Sequence, residues 1–150
     1  VESMPVSQLV CTKAYSGIPF AHRAPFHDGH CRLVHGHNWD FVFTFKSVTP
    51  DCNNFVFDFG KLKDLKAKLN ELDHALIIAY NDPALETFFE LEKDDLCKLV
   101  ILPSTSCEGI AEYFLNVAND IANRNSNGRV KCIKCTVIED ENNSATYVKE

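Results

Sequence analysis

The stretch Cys31-Arg32-Leu33-Val34-His35-Gly36-His37-Asn38-Trp39 organises the interpretation of this chain. An apolar segment continues from it, and a β-strand that begins at the histidines places alternate side chains on one face. That face carries His35, His37, Trp39, Phe41, Phe43 and Phe45. Two imidazoles that point the same way from one strand have the geometry of a metal chelate, although histidines on strands are often unliganded. The phenylalanines that follow them are most simply core residues.

A third imidazole, that of His22, precedes this stretch and is expected near the end of an earlier strand. Three histidines are what a catalytic zinc uses when its fourth position stays open for water or substrate. Cys31, a thiol beside such a site, is then a candidate acid or base. His27 and His30 stand among Pro, Asp and Gly, a composition typical of a loop, so we interpret them as loop residues rather than ligands.

Composition limits the classes of protein to which this chain can belong. It has 150 residues, of which 45% are hydrophobic, enough for one compact domain with its own core. Seven cysteines without the spacing of a disulfide framework indicate free thiols and a reducing, cytoplasmic setting. The apolar runs are too short to span a membrane, and the N-terminus does not resemble a signal peptide. A net charge of -6 argues against nucleic-acid binding but leaves room for an anionic small molecule in a locally basic pocket.

Hydrophobic alternation predicts four main strands, which lie at 8–15, 38–48, 129–139 and 145–148. A Ser-Gly-Ile-Pro break at 16–19 is expected to end the first strand. Turn-forming residues at 49–54 are expected to close a hairpin between the second strand and a short segment at 55–57.

Leucines at helical spacing predict a helix over 58–72, capped by its first residue. A second helix is predicted over 105–123, because Thr105 and Glu108 have the spacing of a capping box. Residues 81–103 mix apolar and acidic side chains and are expected to hold a short helix or strand. The order ββααββ predicts an α+β domain in which a four-stranded antiparallel sheet carries two helices on one face.

Three further motifs each allow two interpretations. Asp73 and His74 follow the first predicted helix and form either a surface turn or part of a site. Glu139 ends an otherwise apolar row of its strand and is either an exposed strand end or a pocket group that awaits hydrogen-bond donors. Cys132 and Cys135 are three positions apart, so on a strand they face opposite sides and are interpreted as buried thiols rather than a chelate or a disulfide.

Six blocks of this sequence, in order, resemble the 6-pyruvoyltetrahydropterin synthase and 6-carboxytetrahydropterin synthase family. They are Phe20-Ala21-His22-Arg23, Cys31-x-x-x-His35-Gly36-His37-Asn38, Asp58-Phe59-Gly60-x-Leu62-Lys63, Leu72-Asp73-His74, Ser106-Cys107-Glu108 and Val137-Ile138-Glu139. The resemblance covers essentially the full length. It implies one pterin synthase-like domain over 1–150, with an insertion at 81–103. It also implies the tunnelling fold, in which sheets from several subunits join into a barrel with active sites between subunits, and therefore a homo-oligomer, in this family a hexamer.

The resemblance also implies a role for each matched residue. The zinc ligands would be His22, His35 and His37. The catalytic residues would be the thiol Cys31 and the proton relay Asp73 and His74. Glu139 would anchor the pterin ring, with Ser106 and Cys107 contributing from the turn before the second helix. Cys107 is a departure, because many relatives have Ser, Ala or Thr at that point. Zinc on the side-chain hydroxyls of 7,8-dihydroneopterin triphosphate would acidify them and ease elimination of triphosphate.

The four-residue spacing between Cys31 and His35 resembles the bacterial carboxy enzymes of the queuosine pathway; in the animal-type pyruvoyl enzymes the two stand further apart. This implies a lyase that makes 6-carboxy-5,6,7,8-tetrahydropterin, acetaldehyde and triphosphate. The alternative is 6-pyruvoyltetrahydropterin synthase, and a more distant one is a non-catalytic zinc or pterin-binding module. A cupin-like oxygenase also uses His-x-His, but its nearly all-β fold does not match the two predicted helices.

Overall fold

The computed structural model describes residues 8–150, and its sheet is built around two long strands. β1 (Val10–His22) and β2 (His35–Ser47) pair antiparallel, with His22 opposite His35. The expected aromatic row of β2 is fully buried, and its members are Trp39, Phe41, Phe43 and Phe45. The alternation predicted from the sequence for this strand is therefore confirmed.

The sheet has six strands rather than the four predicted, and it is mixed rather than antiparallel. The added strands are β3 (Ala75–Ala79) and β4 (Lys98–Leu102). β5 (Val130–Ile138) and β6 (Ser144–Val148) are the two C-terminal strands of the prediction. The order across the sheet is β4-β3-β1-β2-β5-β6, with β3 parallel to both β1 and β4. All five residues of β3 are buried, so this strand lacks the alternation by which a strand is recognised in a sequence.

Over residues 8–150 there are three α-helices, one more than predicted. They are α1 (Lys63–Asn70), α2 (Leu85–Lys93) and α3 (Cys107–Arg124). α2 and β4 both lie in the stretch 81–103, where a single short element was expected. α1 begins later than predicted because Asp58 caps a 3-10 turn at Phe59–Lys61, where its carboxylate accepts from Gly60 N at 2.9 Å.

The cap of α3 is Ser106 rather than Thr105. The Ser106 hydroxyl accepts a hydrogen bond from Gly109 N at 3.0 Å, three residues into the helix. The predicted capping box therefore has its hydroxyl shifted by one residue. Thr105 is free to make other contacts, which matter for the site described below.

The helices cover both faces of the sheet. α1 and α3 pack on the face with the aromatic row of β2, in one core that includes Ile77 of β3. α2 covers the opposite face, where its Phe88 packs with Leu76 and Ile78, the residues on either side of Ile77. The prediction of two helices on one face holds for α1 and α3, and α2 adds a layer on the other face.

The break expected at 16–19 is a β-bulge inside β1. The pairing with β2 shifts between Tyr15 and Ile18, and Gly17 adopts a φ of +71°, which favours glycine. The Gly17 N–H donates to the Asp40 carboxylate at 2.8 Å. Because the strand continues past the bulge, His22 is placed directly opposite His35.

A second bulge, on β5, brings Cys132 and Cys135 to the same side. Pairing with β2 shifts at Thr44 and Phe45, so Ile133 is an extra residue between the two cysteines. Both thiols are buried in the main core, and burial raises the pKa of Cys132 to about 12 and that of Cys135 further. The prediction of buried thiols is confirmed, but the argument that they face opposite sides is wrong.

The segment 55–57 is not a strand, so the expected hairpin is wrong. Val56 and Phe57 instead enter the core from a loop held by the Asp51 carboxylate, which accepts from Asn53 N and Phe55 N.

Within 8–150 no helix is long and apolar enough to cross a bilayer. The expectation about a signal segment involves residues 1–7, which lie outside the described range.

Candidate metal and substrate site

Three histidines meet where β1 ends and β2 begins. His22 is paired across the sheet with His35, and Phe20 is paired with His37. The ring centroids of His22 and His35 are 4.6 Å apart, and those of His35 and His37 are 5.1 Å apart. The antiparallel register of two adjacent strands therefore brings together the three imidazoles that the sequence analysis singled out.

Glu139, directly after β5, completes this cluster. Its Oε1 lies 2.8 Å from His37 Nε2 and 3.4 Å from His22 Nε2. The three imidazoles and the carboxylate each offer one ligand atom, and these four atoms all lie within 4.8 Å of one another. Of the two interpretations of Glu139, the structure therefore agrees with a pocket group, because the carboxylate turns toward the histidines.

The hydrogen bonds of the histidines suit a metal ion. Nδ1 of His22 lies 2.7 Å from the carbonyl oxygen of Thr105, and Nδ1 of His35 lies 2.7 Å from that of Leu33. We assign the proton to Nδ1 in both rings, because a carbonyl can only accept, and this leaves each Nε2 lone pair available as a ligand. Burial is the largest influence on His22 and lowers its pKa, which keeps the ring in the neutral, metal-binding form.

Two of the ring nitrogens in the cluster are buried without a hydrogen bond. Among residues 8–150, His22 Nε2 and His37 Nε2 find no partner in hydrogen-bonding geometry, although Glu139 is close to both. A buried polar atom without a partner costs free energy, and such atoms in native proteins call for an explanation. A bound cation supplies one, so the residues present fit a metal.

Trp39 forms the floor of the cluster. Its ring meets those of His22 and His37 edge to face, with centroids 4.8 and 5.4 Å away. It stacks on Phe20 at 4.4 Å, and its indole N–H donates to the Phe20 carbonyl at 3.0 Å. Because Trp39 is fully buried and held on two sides, the two imidazoles rest on a rigid apolar surface.

Cys107, the first residue of α3, brings a thiol into contact with the cluster. Its Sγ lies 3.7 Å from Glu139 Oε2 and donates a weak hydrogen bond to it. Burial, and then the nearby Glu139 charge, raises the pKa of Cys107 to about 12, so the thiol stays protonated. Ser106 does not share this contact, because its hydroxyl is used to cap α3.

The catalytic candidates Cys31, Asp73 and His74 do not belong to the cluster of ligand atoms. Cys31 is exposed in a short 3-10 turn (His30–Arg32) before β2, and within 8–150 no hydrogen bond involves its thiol. Asp73 and His74 form a hydrogen-bonded pair between carboxylate and Nδ1, with both side chains largely exposed. His74 and His37 line the same shallow depression of about 460 Å³. The structure thus places His74 beside the depression that His37 lines, and Cys31 on an exposed turn before β2.

Sequence reasoning missed the part played by Thr105. Its carbonyl oxygen holds the His22 ring, and its hydroxyl donates to the carbonyl of Arg23 at 2.7 Å. The only signal was its place beside Ser106 before a helix, which suggested a cap. A backbone contact of this kind leaves no pattern in the sequence.

Comparison with known sequences relates this chain to a family. The family model described as 6-pyruvoyl tetrahydropterin synthase matches residues 12–150. The 6-carboxy-5,6,7,8-tetrahydropterin synthase of Aquifex aeolicus is 30% identical over 126 residues, which cover 80% of this chain and 76% of that protein. A putative 6-carboxy-5,6,7,8-tetrahydropterin synthase of Methanocaldococcus jannaschii is 28% identical over 138 residues, covering 79% and 82%.

Solved structures agree on the fold. An uncharacterized protein from Wolinella succinogenes superposes with a TM-score of 0.79 at 20% identity, covering 95% of this chain and 99% of its own. The 6-pyruvoyl tetrahydropterin synthase of Caenorhabditis elegans gives a TM-score of 0.64 at 20% identity, covering 99% and 100%. With the match over residues 12–150 and the identity to the Aquifex protein, this chain belongs to the 6-pyruvoyl tetrahydropterin synthase family, a family of lyases.

Proposed function

We propose that this enzyme is a zinc-dependent lyase that converts 7,8-dihydroneopterin triphosphate into 6-carboxy-5,6,7,8-tetrahydropterin, acetaldehyde and triphosphate. The observation that carries the proposal is the cluster of three histidines and Glu139, whose ligand atoms lie within 4.8 Å of one another. Two relatives with broad coverage are named as 6-carboxytetrahydropterin synthases, one of them putatively, which favours the carboxy product. The four-residue spacing of Cys31 and His35 favours the same product.

In this proposal His22, His35 and His37 hold the metal through Nε2, because Nδ1 of the first two is committed to backbone carbonyls. A bound zinc would acidify the hydroxyls of the substrate side chain and stabilise the negative charge that develops on them. Three protein ligands leave room for those hydroxyls at the fourth position. The apolar floor formed by Trp39 keeps water away from one side of the cluster.

The proton transfers fall to Cys31 and to the Asp73–His74 pair. The Asp73 carboxylate accepts the Nδ1 proton of His74, so it holds the ring with Nε2 free to take up or give a proton. Cys31 is exposed and is the thiol that we propose as the base. Its loop is tied to the cluster, because the Leu33 carbonyl accepts the hydrogen bond from His35 Nδ1.

We further propose a cytoplasmic homo-oligomer with active sites between subunits, and the family resemblance implies a hexamer. β3 pairs with only Phe20–His22 of β1, so within 8–150 the outer edge of the rest of β1 is unpaired, as is that of β6. Open strand edges pair readily with another chain, which supports assembly through the sheets. All seven cysteines are free, as expected for a reducing compartment.

Glu139 is proposed to anchor the pterin ring through two parallel hydrogen bonds from its aminopyrimidinone edge. Glu139→Gln keeps the shape but turns one acceptor into a donor that faces the donors of the pterin. We expect binding of a pterin ligand to weaken by about 1–3 kcal/mol, measured by calorimetry on the zinc-loaded protein.

Zinc content of the same variant separates the two roles that the geometry allows for Glu139. An anchor leaves zinc stoichiometry unchanged while pterin affinity falls. If Glu139→Gln instead loses zinc, and its remaining zinc-loaded fraction binds the pterin ligand as tightly as the wild type does, Glu139 is a metal ligand.

Turnover of 7,8-dihydroneopterin triphosphate by purified, zinc-loaded protein tests the proposed reaction. Chromatography with mass detection is expected to find acetaldehyde in amounts that match triphosphate release. Accumulation of 6-pyruvoyltetrahydropterin without acetaldehyde would assign the sister activity, triphosphate elimination. Pterin binding with no turnover at all would make the chain a non-catalytic zinc or pterin-binding module.

A further inference from the structure

An ion pair links the stretch 81–103 to the loop that carries Cys31. Arg23 Nε and one terminal nitrogen donate to the two carboxylate oxygens of Asp82 at 2.7 and 2.6 Å. The Asp82 side chain is fully buried, and that of Arg23 is largely buried. Such a two-point contact fixes the plane of the guanidinium as well as its position.

Asp82 is itself held at the start of the α2 segment. Its Oδ1 also accepts a hydrogen bond from Ala84 N at 2.8 Å, just before the helix begins. Phe88 of α2 lies under the guanidinium, whose central carbon is 5.6 Å from the ring centroid. The pair holds the pKa of Asp82 below its usual range, so the carboxylate stays charged at neutral pH.

The remaining nitrogen of Arg23 reaches the loop. It donates to the carbonyl oxygen of Arg32, the residue after Cys31, at 3.1 Å. The Cys31 carbonyl accepts from Ala24 N at 2.7 Å, and the Arg32 side chain donates to the Gly29 carbonyl at 2.8 Å. The loop is therefore closed on itself by these two contacts and is joined to the body of the protein through the Arg23 side chain.

The same arginine adjoins the metal cluster. It follows His22, and its carbonyl accepts from the Thr105 hydroxyl, whose own backbone carbonyl holds the His22 ring. One residue thus connects the first histidine of the cluster with the loop of Cys31. Because Asp82 holds the Arg23 side chain, it helps to set the position of the Cys31 loop relative to His22.

We propose that the Arg23–Asp82 pair is a positioning device that holds the Cys31 loop at a set place relative to the histidine cluster, and that this is a function of the segment 81–103. The proposal rests on the proposed function for its catalytic consequence, but the holding of the loop can be measured without turnover. Arg23 and Asp82 are positioning residues, because neither is placed to touch the reacting atoms. Misplacement of a catalytic group by about 1 Å can cost on the order of 10²-fold in rate, so a loosened loop is expected to be costly.

Asp82→Asn is the test variant, because it removes the charge and one of the two acceptor contacts at nearly constant volume. We expect kcat to fall by about tenfold or more, while zinc content stays at the wild-type value and KM changes by less than about threefold. The ratio of acetaldehyde to triphosphate should also fall, because the base is less well placed for carbon–carbon cleavage. A purely structural role would lower the folded fraction and leave that ratio and the kcat per folded molecule unchanged.

Limited trypsin digestion measures how often the Cys31 loop opens, and it needs no substrate of the enzyme. Cleavage after Arg32 is expected to accelerate by about tenfold in Asp82→Asn, with cleavage after Lys131 in β5 unchanged as a measure of global opening. Arg124→Met is the matched control, since it breaks an exposed ion pair with Asp120 on α3 and should alter neither readout. Arg23→Lys keeps the charge without the two-point contact, so its kcat should lie between those of the wild type and Arg23→Met.

The possible failures are distinguishable. A wild-type protein without turnover would overturn the proposed function, while the digestion would still decide whether the pair holds the loop. Wild-type cleavage after Arg32 in a folded Asp82→Asn protein would overturn the proposal. If Asp82→Asn does not fold, the two Arg23 variants decide. A wild-type kcat and a wild-type rate of cleavage after Arg32 in both Arg23→Lys and Arg23→Met would overturn the proposal.

Discussion

Purified His35→Ala and His37→Ala proteins are expected to lose stoichiometric zinc. Each substitution removes one of the three imidazoles of the cluster, and within 8–150 no other histidine belongs to it that could replace the lost ligand. Loss of a hydrogen-bond partner behind a ligand commonly costs 10–100-fold in metal affinity, so loss of the ligand itself should cost more. Elemental analysis after dialysis against a weak chelator measures the effect as zinc per chain.

Matched controls for this experiment lie in the neighbouring loop. His27 and His30 are exposed, and neither belongs to the cluster. His27→Ala and His30→Ala should therefore keep one zinc per chain. Unchanged zinc in both His35→Ala and His37→Ala would contradict the proposed metal centre, and so would loss of zinc from the loop variants alone.

The site was more predictable from the sequence than the sheet around it. His35 and His37 were expected at the start of a strand whose alternation is visible in the sequence, and His22 near the end of the strand before it; antiparallel pairing of neighbouring strands is the commonest arrangement. With His22 opposite His35, and His37 two residues further along the same face of β2, the three imidazoles lie close together. Glu139 was placed at a strand end by the same alternation, but only the three-dimensional register shows which way it turns.

Two physical causes explain the missed strand and helix and the wrongly assigned strand faces. Strand β3 and helix α2 pack against each other on the second face of the sheet, so β3 is buried on both sides and shows no alternation. Bulges are the other cause, because one extra residue reverses the facing of everything beyond it. The bulge at Ile133 turned Cys132 and Cys135 to one side, and the bulge near Gly17 carried the strand predicted over 8–15 on to His22.

The Arg23–Asp82 pair could not have been foreseen from either residue. The two are far apart in sequence, and Asp82 lies in the stretch whose elements were not assigned. A general rule nevertheless applies to any buried carboxylate, which needs a nearby cation and hydrogen-bond donors to remain charged. The partners observed are Arg23 and the amide of Ala84.

Cys31→Ala is expected to lose about 10²-fold or more in kcat while it keeps its zinc and its fold. Loss of a general acid or base has an effect of that size, and Cys31 is the thiol that we assign to proton transfer. The side chain is exposed, so its removal leaves no cavity in the core. Steady-state kinetics with 7,8-dihydroneopterin triphosphate, together with zinc analysis and circular dichroism, measure the three quantities.

The choice of Cys31 over the other thiols rests on their surroundings. Cys107 contacts Glu139 of the cluster, but burial and that carboxylate keep the thiol protonated, so it is suited to donate a hydrogen bond and not to act as a base. Cys132 and Cys135 lie in the core. Cys52 is exposed in the loop at 49–54 and serves as the control, since Cys52→Ala should retain full turnover. Near-wild-type kcat in Cys31→Ala, with a large loss in Cys107→Ala at unchanged zinc, would transfer the proton-transfer role to Cys107.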